Sequence, residues 1–518
     1  MTRIAAAVRP RVARVARAAR PPLARFARTT GPREPARTAR PRTWQYTAGA
    51  ATAGLALAAG VATAAGPWDS TGQRTAERDR AVALERPGGT DHGRGPAGSG
   101  TTAGPPRPAP SAGPVLKGLG GTSDAPAGGV RAAPRGRALA DALAPLLDDP
   151  ALGSGRAASV VDLTTGERLY GLDAGTPFTP ASTTKIATAV AALTALGPDH
   201  RLTTRTALET DTGELVLVGG GDPTLTAREG GGRDLASLRT LAGRTAEALK
   251  KRNLTQVTLS YDTTLYTGTE THPIGVNENL APLTALMTDE ARTDDSTSGP
   301  APRAADPAAD AARAFARLLG EHGIRTSSPG PSKATGRAAT LATVSSPPVS
   351  DLVERMLTDS DNDIAEALAR HTALATGHPA DFDGVSAALT ARLKQLGLPV
   401  RGAVFHDGSG LDRTDRITAD LLTALLAEAA DPARPELRPV LTGLPVAGFT
   451  GTLAGRYAEG ASGLVRAKTG TLTGVNTLAG TVATPDGRLL AFAFLAHGTT
   501  DPRAAQQALD RAATTLTS

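Results

Sequence analysis

Residues 182–196 have the sequence Ser-Thr-Thr-Lys-Ile-Ala-Thr-Ala-Val-Ala-Ala-Leu-Thr-Ala-Leu, in which one lysine is the only charged residue. Ile186, Val190 and Leu193 recur at helical spacing, so the stretch predicts a helix with one apolar face. Ser182 and Lys185 are three residues apart and therefore lie on the same side of that helix. The stretch predicts that the Nζ of Lys185 can reach the Oγ of Ser182.

Two further motifs follow in chain order, Ser360-Asp361-Asn362 and Lys468-Thr469-Gly470. Only seven of the 56 basic residues are lysine, and two of the seven, Lys185 and Lys468, lie in these motifs. Arginine cannot lose its proton in a protein, whereas a buried lysine can act as a base. All three motifs in this order arise by chance roughly once in a thousand sequences of this composition.

The first motif suits nucleophilic catalysis. If Ser182 begins the helix, its backbone N–H and the positive helix end help to hold an oxyanion. For Lys185 to accept the Ser182 proton it must be neutral for part of the time. Burial and a nearby cation both lower a lysine pKa, and Lys468 supplies that cation if its strand lies beside the helix.

The other motifs suit substrate binding and proton transfer. Lys468 and Thr469 are placed to bind a substrate carboxylate. Ser360 can relay a proton to a leaving amine, and Asn362 can orient the substrate amide. The backbone N–H of Thr471, together with that of Ser182, would complete an oxyanion hole.

Each motif also has a purely structural interpretation. Ser182 and the Ser360–Asn362 cluster can cap helices, and Lys-Thr-Gly can be an ordinary strand end. A second site at 406–410, His-Asp-Gly-Ser-Gly, is disfavoured because adjacent residues of a turn point in different directions. Neither Gly-x-Ser-x-Gly nor His-Glu-x-x-His occurs.

The charge of the chain is concentrated at its N-terminus. Residues 1–43 carry 12 Arg and one acidic residue, a local net charge of +11, which leaves the rest at −5 of the overall +6. The basic charge therefore lies on an arm and not on the folded part, so no nucleic-acid partner is expected. The chain has no Cys, which excludes disulfides and Cys-ligated metals, and none of the motifs requires a cofactor.

The segment 44–66 follows the basic arm and has no charged residue, and the 21 residues from 46 to 66 form its weakly apolar part. Its length suits a membrane span, although its Ala and Gly content makes it weakly hydrophobic. It predicts a signal anchor or a cleaved signal peptide, with the arm in the cytoplasm and the remainder exported. Residues 67–135, rich in Gly, Pro and Ala, predict a disordered linker.

An α+β fold is predicted for the rest. Strands near both chain ends predict an antiparallel sheet flanked by helices, formed by residues 136–204 and 341–518. The 174 residues between Lys185 and Ser360 are too many for a connection, and their own helices and strands predict a smaller inserted α/β domain at 205–340.

The three motifs in this order are typical of penicillin-recognising serine enzymes. The chain resembles the D-alanyl-D-alanine carboxypeptidase/endopeptidase family, the low-molecular-mass class C penicillin-binding proteins. Four further stretches share in the resemblance: Gly-Asp-Pro-Thr-Leu at 221–225, Pro-Leu-Thr-Ala-Leu-Met at 282–287, Asp-Gly-Ser-Gly-Leu at 407–411 and Leu-Ala-Gly-Arg at 453–456. The resemblance covers about residues 135–518.

The resemblance implies a β-lactamase-like transpeptidase fold with an insert between the first two motifs. It implies Ser182 as nucleophile and Lys185 as base, with the following partners: Ser360, Asn362, Lys468 and Thr469. The implied substrates are peptidoglycan stem peptides that end in D-Ala-D-Ala, and β-lactams would acylate the same serine. The alternatives are a serine β-lactamase, for which no Glu-x-x-Leu-Asn pattern is present, and an inactive wall-binding protein.

Overall fold

The computed structural model describes residues 135–230, 234–457 and 460–517. The predicted arm at 1–43, the predicted membrane or signal segment at 44–66 and the predicted linker up to residue 134 lie outside these ranges. Within them, no helix combines the length and the apolar character needed to cross a membrane.

The secondary structure of the described ranges is as follows. The α-helices are α1 (Arg135–Leu147), α2 (Thr184–Leu196), α3 (Leu238–Lys250), α4 (Pro307–Glu321), α5 (Val349–Asp359), α6 (Asn362–Ala375), α7 (Phe382–Gln395), α8 (Ala419–Ala430), α9 (Arg438–Thr442) and α10 (Pro502–Thr515). The strands are β1 (Gly155–Asp162), β2 (Arg168–Leu172), β3 (Thr203–Glu209), β4 (Glu214–Val218), β5 (Gln256–Asp262), β6 (Arg325–Thr326), β7 (Gly330–Pro331), β8 (Ala339–Ser345), β9 (Val465–Leu472), β10 (Val475–Ala483) and β11 (Leu489–His497).

The first sheet joins the two ends of the folded chain. Its strand order is β2-β1-β11-β10-β9, and every neighbouring pair is antiparallel. β1 pairs with β11 from Gly155 opposite His497 to Asp162 opposite Leu490. The antiparallel sheet predicted from both chain ends is therefore confirmed, and β9, with the third motif, forms one of its edges.

Both faces of this sheet are covered. Along β11, Phe492 and Phe494 belong to a core with residues of α1 and α10. Ala491, Ala493 and Leu495 alternate with them and pack into a core with α2, α5, α6, α7 and α8. A strand buried on both faces needs apolar residues at every position, which explains the continuous apolar run of β11.

The second sheet lies between the first two motifs in the sequence. Its order is β6-β5-β4-β3-β8, with β7 beside β5. β3 is antiparallel to β4 and β8, whereas β4 and β5 are parallel and are connected through α3. The sheet uses residues from 203 to 345, and the predicted insert at 205–340 lies within that range. The α+β class is confirmed.

The sequence did not predict β3 or the edge strand β8 of this sheet. Buried positions of β3 include Thr204 and Thr206, and those of β8 include Ala342. Threonine occupies exposed positions of these strands as well as buried ones, so the alternation of buried and exposed positions is weak in the sequence.

Truncating one of the buried rings of β11 tests the two-sided packing. We expect Phe494→Ala to lower the free energy of unfolding by about 3–5 kcal/mol, because the ring is completely buried and its loss leaves a cavity. Chemical denaturation followed by circular dichroism measures the change. Phe449→Ala is the matched control, since its ring is 67% exposed and should cost less than about 0.5 kcal/mol. Equal losses for both variants would contradict the packing.

Candidate active site

The side chain of Lys185 is completely buried and lies where the motifs meet. Its Nζ donates to the Oγ of Ser182 at 3.2 Å and to the Oδ1 of Asn362 at 2.6 Å. A third bond goes to the carbonyl oxygen of Ser409 at 2.7 Å. One ammonium group therefore joins the first two motifs to the loop at 407–411.

Ser182 is not a helix cap. It lies in the 3₁₀ turn Ala181–Thr183 that directly precedes α2. Neither this turn nor α2 has a side-chain hydrogen bond at its N-cap. Ala181, before it, has a φ of 48°, a left-handed conformation that costs energy for a residue with a Cβ and often occurs at functional sites. The predicted contact is present, because the hydroxyl of Ser182 lies within hydrogen-bond distance of the Nζ of Lys185.

Two glycines allow other segments to approach this turn. Gly410 has a φ of 81°, and a Cβ there would overlap the carbonyl oxygen of Ala181. Gly470, the glycine of the third motif, faces the same turn, and a Cβ there would lie 2.7 Å from the carbonyl oxygen of Pro180. Thr477 of β10 donates to that same Pro180 oxygen at 2.8 Å. The glycine of Lys-Thr-Gly is therefore required by the close packing of β9 on the nucleophile turn.

The second motif joins α5 to α6. Ser360 ends α5 with a left-handed φ of 59°, and its Oγ accepts a bond from the Nζ of Lys468 at 2.8 Å. Asp361 caps α6 by accepting from the backbone N–H of Ile364 at 3.0 Å. The capping interpretation thus holds for Asp361, while Ser360 and Asn362 face the two lysines.

The third motif lies on the edge strand β9. Lys468 is completely buried and also donates to the carbonyl oxygen of Thr469 at 2.8 Å. The half-buried Thr469 bonds through its hydroxyl to Thr452 at 3.1 Å. Thr471 is exposed, and its Oγ1 accepts from Gln506 at 3.4 Å. The predicted site residues are therefore brought to the junction of α2, α6 and β9.

The two lysines differ in their electrostatic surroundings. Burial lowers the pKa of Lys185 to about 8. Four carboxylates act in the opposite direction and limit that fall: Asp407, Glu366, Asp361 and Asp363. For Lys468, burial and then the charge of Lys185 hold the pKa well below its ordinary value.

The repulsion between the two ammonium groups disfavours the protonated form of both. At Lys468 it adds to burial in lowering the pKa, whereas at Lys185 the four carboxylates oppose it. In the free protein a proton on the lysine pair is therefore favoured at Lys185.

The loop that contains His406, Asp407 and Ser409 supports Lys185 and is not a second catalytic centre. Asp407 accepts from the backbone N–H of Gly410 at 2.6 Å and from that of Asp412 at 2.8 Å. The hydroxyl of Ser409 is buried and donates to Asp407 at 3.3 Å. The loop is folded around the Asp407 carboxylate and presents the Ser409 carbonyl oxygen to the lysine.

Three residues near the site lie outside the three sequence motifs. Asn279, from the region of the second sheet, accepts a bond from the Nδ2 of Asn362 at 2.8 Å. His272, from the same region, bonds through Nε2 to Asp407 at 2.9 Å. Glu366 lies one helical turn after Asn362, and this i, i+4 spacing was the only signal in the sequence that could have identified it.

His272, Glu366 and Asp407 lie close enough together to hold a metal ion. Their ligand atoms are already used within the protein. His272 and Asp407 bind each other, and the Glu366 carboxylate accepts from Arg370 and from two backbone N–H groups. The arrangement is that of a buried hydrogen-bonded network rather than of an open ligand set.

Comparison with known proteins places this site in a family. The model of the D-Ala-D-Ala carboxypeptidase 3 (S13) family matches residues 139–298 and 293–516. Carboxypeptidase Rv3627c of Mycobacterium tuberculosis is 35% identical over 413 residues, which are 77% of this chain and 87% of that protein. Carboxypeptidase DacB of Mycolicibacterium smegmatis is 36% identical over 377 residues, 70% of this chain and 81% of that protein.

The fold is shared with a solved structure, penicillin binding protein 4 from Haemophilus influenzae. The TM-score is 0.60 at 22% sequence identity, over 72% of this chain and 97% of the other. The resemblance inferred from the three motifs is thus confirmed by the family model, by both relatives and by the fold, and the chain belongs to the D-Ala-D-Ala carboxypeptidase 3 (S13) family.

Proposed function

We propose that this protein is a serine-type carboxypeptidase that removes the terminal D-Ala from peptidoglycan stem peptides through an acyl-Ser182 intermediate. The observation that carries the proposal is the contact between the Nζ of Lys185 and the Oγ of Ser182, at the junction of all three motifs. Family membership supports the substrate class. Penicillins would acylate the same serine, and cleavage of D-Ala-linked cross-links would follow the same route.

Acylation begins when the Oγ of Ser182 attacks the carbonyl carbon of the penultimate D-Ala. The hydroxyl proton passes to the neutral Nζ of Lys185 as the new C–O bond forms. Negative charge develops on the former carbonyl oxygen, and the backbone N–H groups of Ser182 and Thr471 stabilise it.

Substrate binding prepares the base. The terminal carboxylate binds beside Lys468 and Thr469, and a negative charge there raises the pKa of Lys468. The lysine pair then favours its proton at Lys468, which leaves Lys185 free to accept the proton of Ser182. The substrate carboxylate therefore supplies part of the activation of the nucleophile.

The leaving group departs with a proton. Ser360, which accepts a bond from Lys468, relays to the amide nitrogen the proton that the lysine pair gained. The C–N bond breaks and D-Ala leaves, while Asn362 orients the acyl group. Water then attacks the ester carbon and Lys185 accepts its proton. As the C–O bond to Ser182 breaks, Lys185 returns that proton to the Oγ of Ser182, which releases the shortened peptide and restores the free enzyme.

We also propose that the catalytic part acts outside the cytoplasmic membrane. Peptidoglycan lies there, and the basic arm at 1–43 followed by the uncharged segment 44–66 supports export of the residues after it. We expect the catalytic part in the extracytoplasmic fraction of its host, and N-terminal sequencing of the mature protein distinguishes a cleaved signal from an anchor. Recovery in the cytoplasm alone would refute export.

The main test treats one sample with a fluorescent penicillin and a separate sample with a D-Ala-D-Ala peptide. Wild-type protein should carry a stable label and release D-Ala, because the acyl-enzyme forms on Ser182. Ser182→Ala should do neither, and gel fluorescence and a D-Ala assay measure the two results. Absence of label on the wild type would refute the proposal. Rapid loss of the label with penicillin turnover would instead indicate a β-lactamase.

Arginine substitutions separate the roles of the two lysines. We expect Lys185→Arg to reduce acylation by about 10²–10⁴-fold, because arginine cannot accept the Ser182 proton. Lys468→Arg keeps the positive charge and should weaken acylation less, by about tenfold. The second-order rate of penicillin labelling measures both, with circular dichroism to verify folding. A Lys185→Arg variant that acylates at the wild-type rate would remove Lys185 from the role of base.

A further inference from the structure

Three polar residues lie one turn apart along α6. Asn362, Glu366 and Arg370 are at successive i, i+4 positions and therefore share one face of the helix. Asn362 touches Lys185 directly. Glu366 and Arg370 lie deeper, and both are almost completely buried. None of the three sequence motifs includes Glu366, so this carboxylate needs a separate explanation.

The partners of Glu366 are all hydrogen-bond donors. Its Oε1 accepts from the backbone N–H of Gly408 at 3.1 Å and from that of Ser409 at 3.0 Å. Its Oε2 accepts from the guanidinium of Arg370 at 3.2 Å. A protonated carboxyl would need an acceptor among these partners, so the geometry requires the ionised form even though burial raises the pKa of Glu366.

Ser409 connects Glu366 to the base. Its N–H is bound by Glu366, while its carbonyl oxygen accepts the bond from the Nζ of Lys185 at 2.7 Å. Asp407 holds the following part of the same loop through the N–H groups of Gly410 and Asp412. The position of the Ser409 carbonyl oxygen beside the Nζ of Lys185 thus depends on two buried carboxylates. Asp407 holds the loop after Ser409, and Glu366 binds the N–H of Ser409 itself.

We propose that Glu366 is a positioning residue for Lys185. Its carboxylate holds the carbonyl oxygen of Ser409 on the ammonium group and places a negative charge behind that group. The inference rests on the proposed role of Lys185 as the base for Ser182. The polar face of α6 then acts on the base at two positions. Asn362 contacts Lys185 directly, and Glu366 acts on Lys185 through Ser409 of the loop.

The charge of Glu366 is one of several that act on Lys185. The carboxylates that favour its protonated form are Asp407, Glu366, Asp361 and Asp363, and the opposing cation is Lys468. Glu366 in turn faces the following groups: Asp407, Arg370, His272 and the N–H of Ser409. Removing one negative charge from this set makes it easier for Lys185 to lose its proton.

Two substitutions separate the geometry from the charge. Glu366→Gln keeps an oxygen for the loop N–H groups but removes the charge. Glu366→Asp keeps the charge but is shorter by one methylene, so it withdraws the carboxylate from the loop. The experiment measures the second-order rate of penicillin acylation between pH 5 and 10 for the wild type and for each variant.

The wild-type rate should rise with pH around pH 8, because the neutral fraction of Lys185 increases through its pKa. Glu366→Gln should move the midpoint of this rise in the acylation rate down by about one pH unit, because one negative charge near Lys185 is removed. Glu366→Asp should leave the midpoint in place and lower the plateau about tenfold to a hundredfold, because the base is misplaced.

The matched control is Glu428→Gln. Glu428 on α8 pairs with Arg434 at 2.8 Å, and this acid–arginine pair has no contact with the Ser409 loop. The pH profile of the control variant should therefore match that of the wild type. A folded Glu366→Gln variant with an unmoved midpoint would overturn the inference. If Glu366→Gln does not fold, Glu366→Asp decides, and an unchanged plateau would overturn it. A wild type that is not labelled, or that shows no rise near pH 8, would instead refute the proposed role of Lys185.

Discussion

The buried ammonium group of Lys185 is the constraint on which the rest of the site depends. A lysine removed from water needs hydrogen-bond acceptors, and three segments supply them through Ser182, Asn362 and Ser409. Each acceptor lies on a different part of the chain, so satisfying one cation brings together the nucleophile turn, the start of α6 and the loop at 407–411. In the proposed mechanism, the same cation must lose its proton before acylation.

The second lysine, Lys468, links the burial of Lys185 to its protonation. Two buried ammonium groups repel each other. The carboxylates near Lys185 favour the proton there, while burial and the charge of Lys185 lower the pKa of Lys468. In the proposed mechanism, a substrate carboxylate that binds at Lys468 reverses that preference. The order of events in that mechanism, carboxylate first and acylation second, follows from where the negative charges lie in the fold.

The region of the second sheet contributes to the site as well as lying between its motifs. Asn279 binds Asn362, and His272 binds Asp407. Both contacts come from residues with no recognisable motif, at separations of 83 and 135 residues in sequence. No periodicity or spacing can predict such contacts, because they join residues far apart in the sequence that only the tertiary packing brings together. Glu366 differs, since its position one turn after Asn362 follows from helix geometry alone.

The sequence alone determined the chemistry and the class of fold. A serine and a lysine three apart can meet on any helix, and the apolar run of β11 requires a strand buried on both faces, so Ser182, Lys185 and the central sheet were predictable from local rules. The tertiary structure decided the protonation of the lysines, because pKa values depend on burial and on charges brought from distant segments. It also decided why Gly410 and Gly470 are glycines, since only the packed chain shows which backbone approaches them.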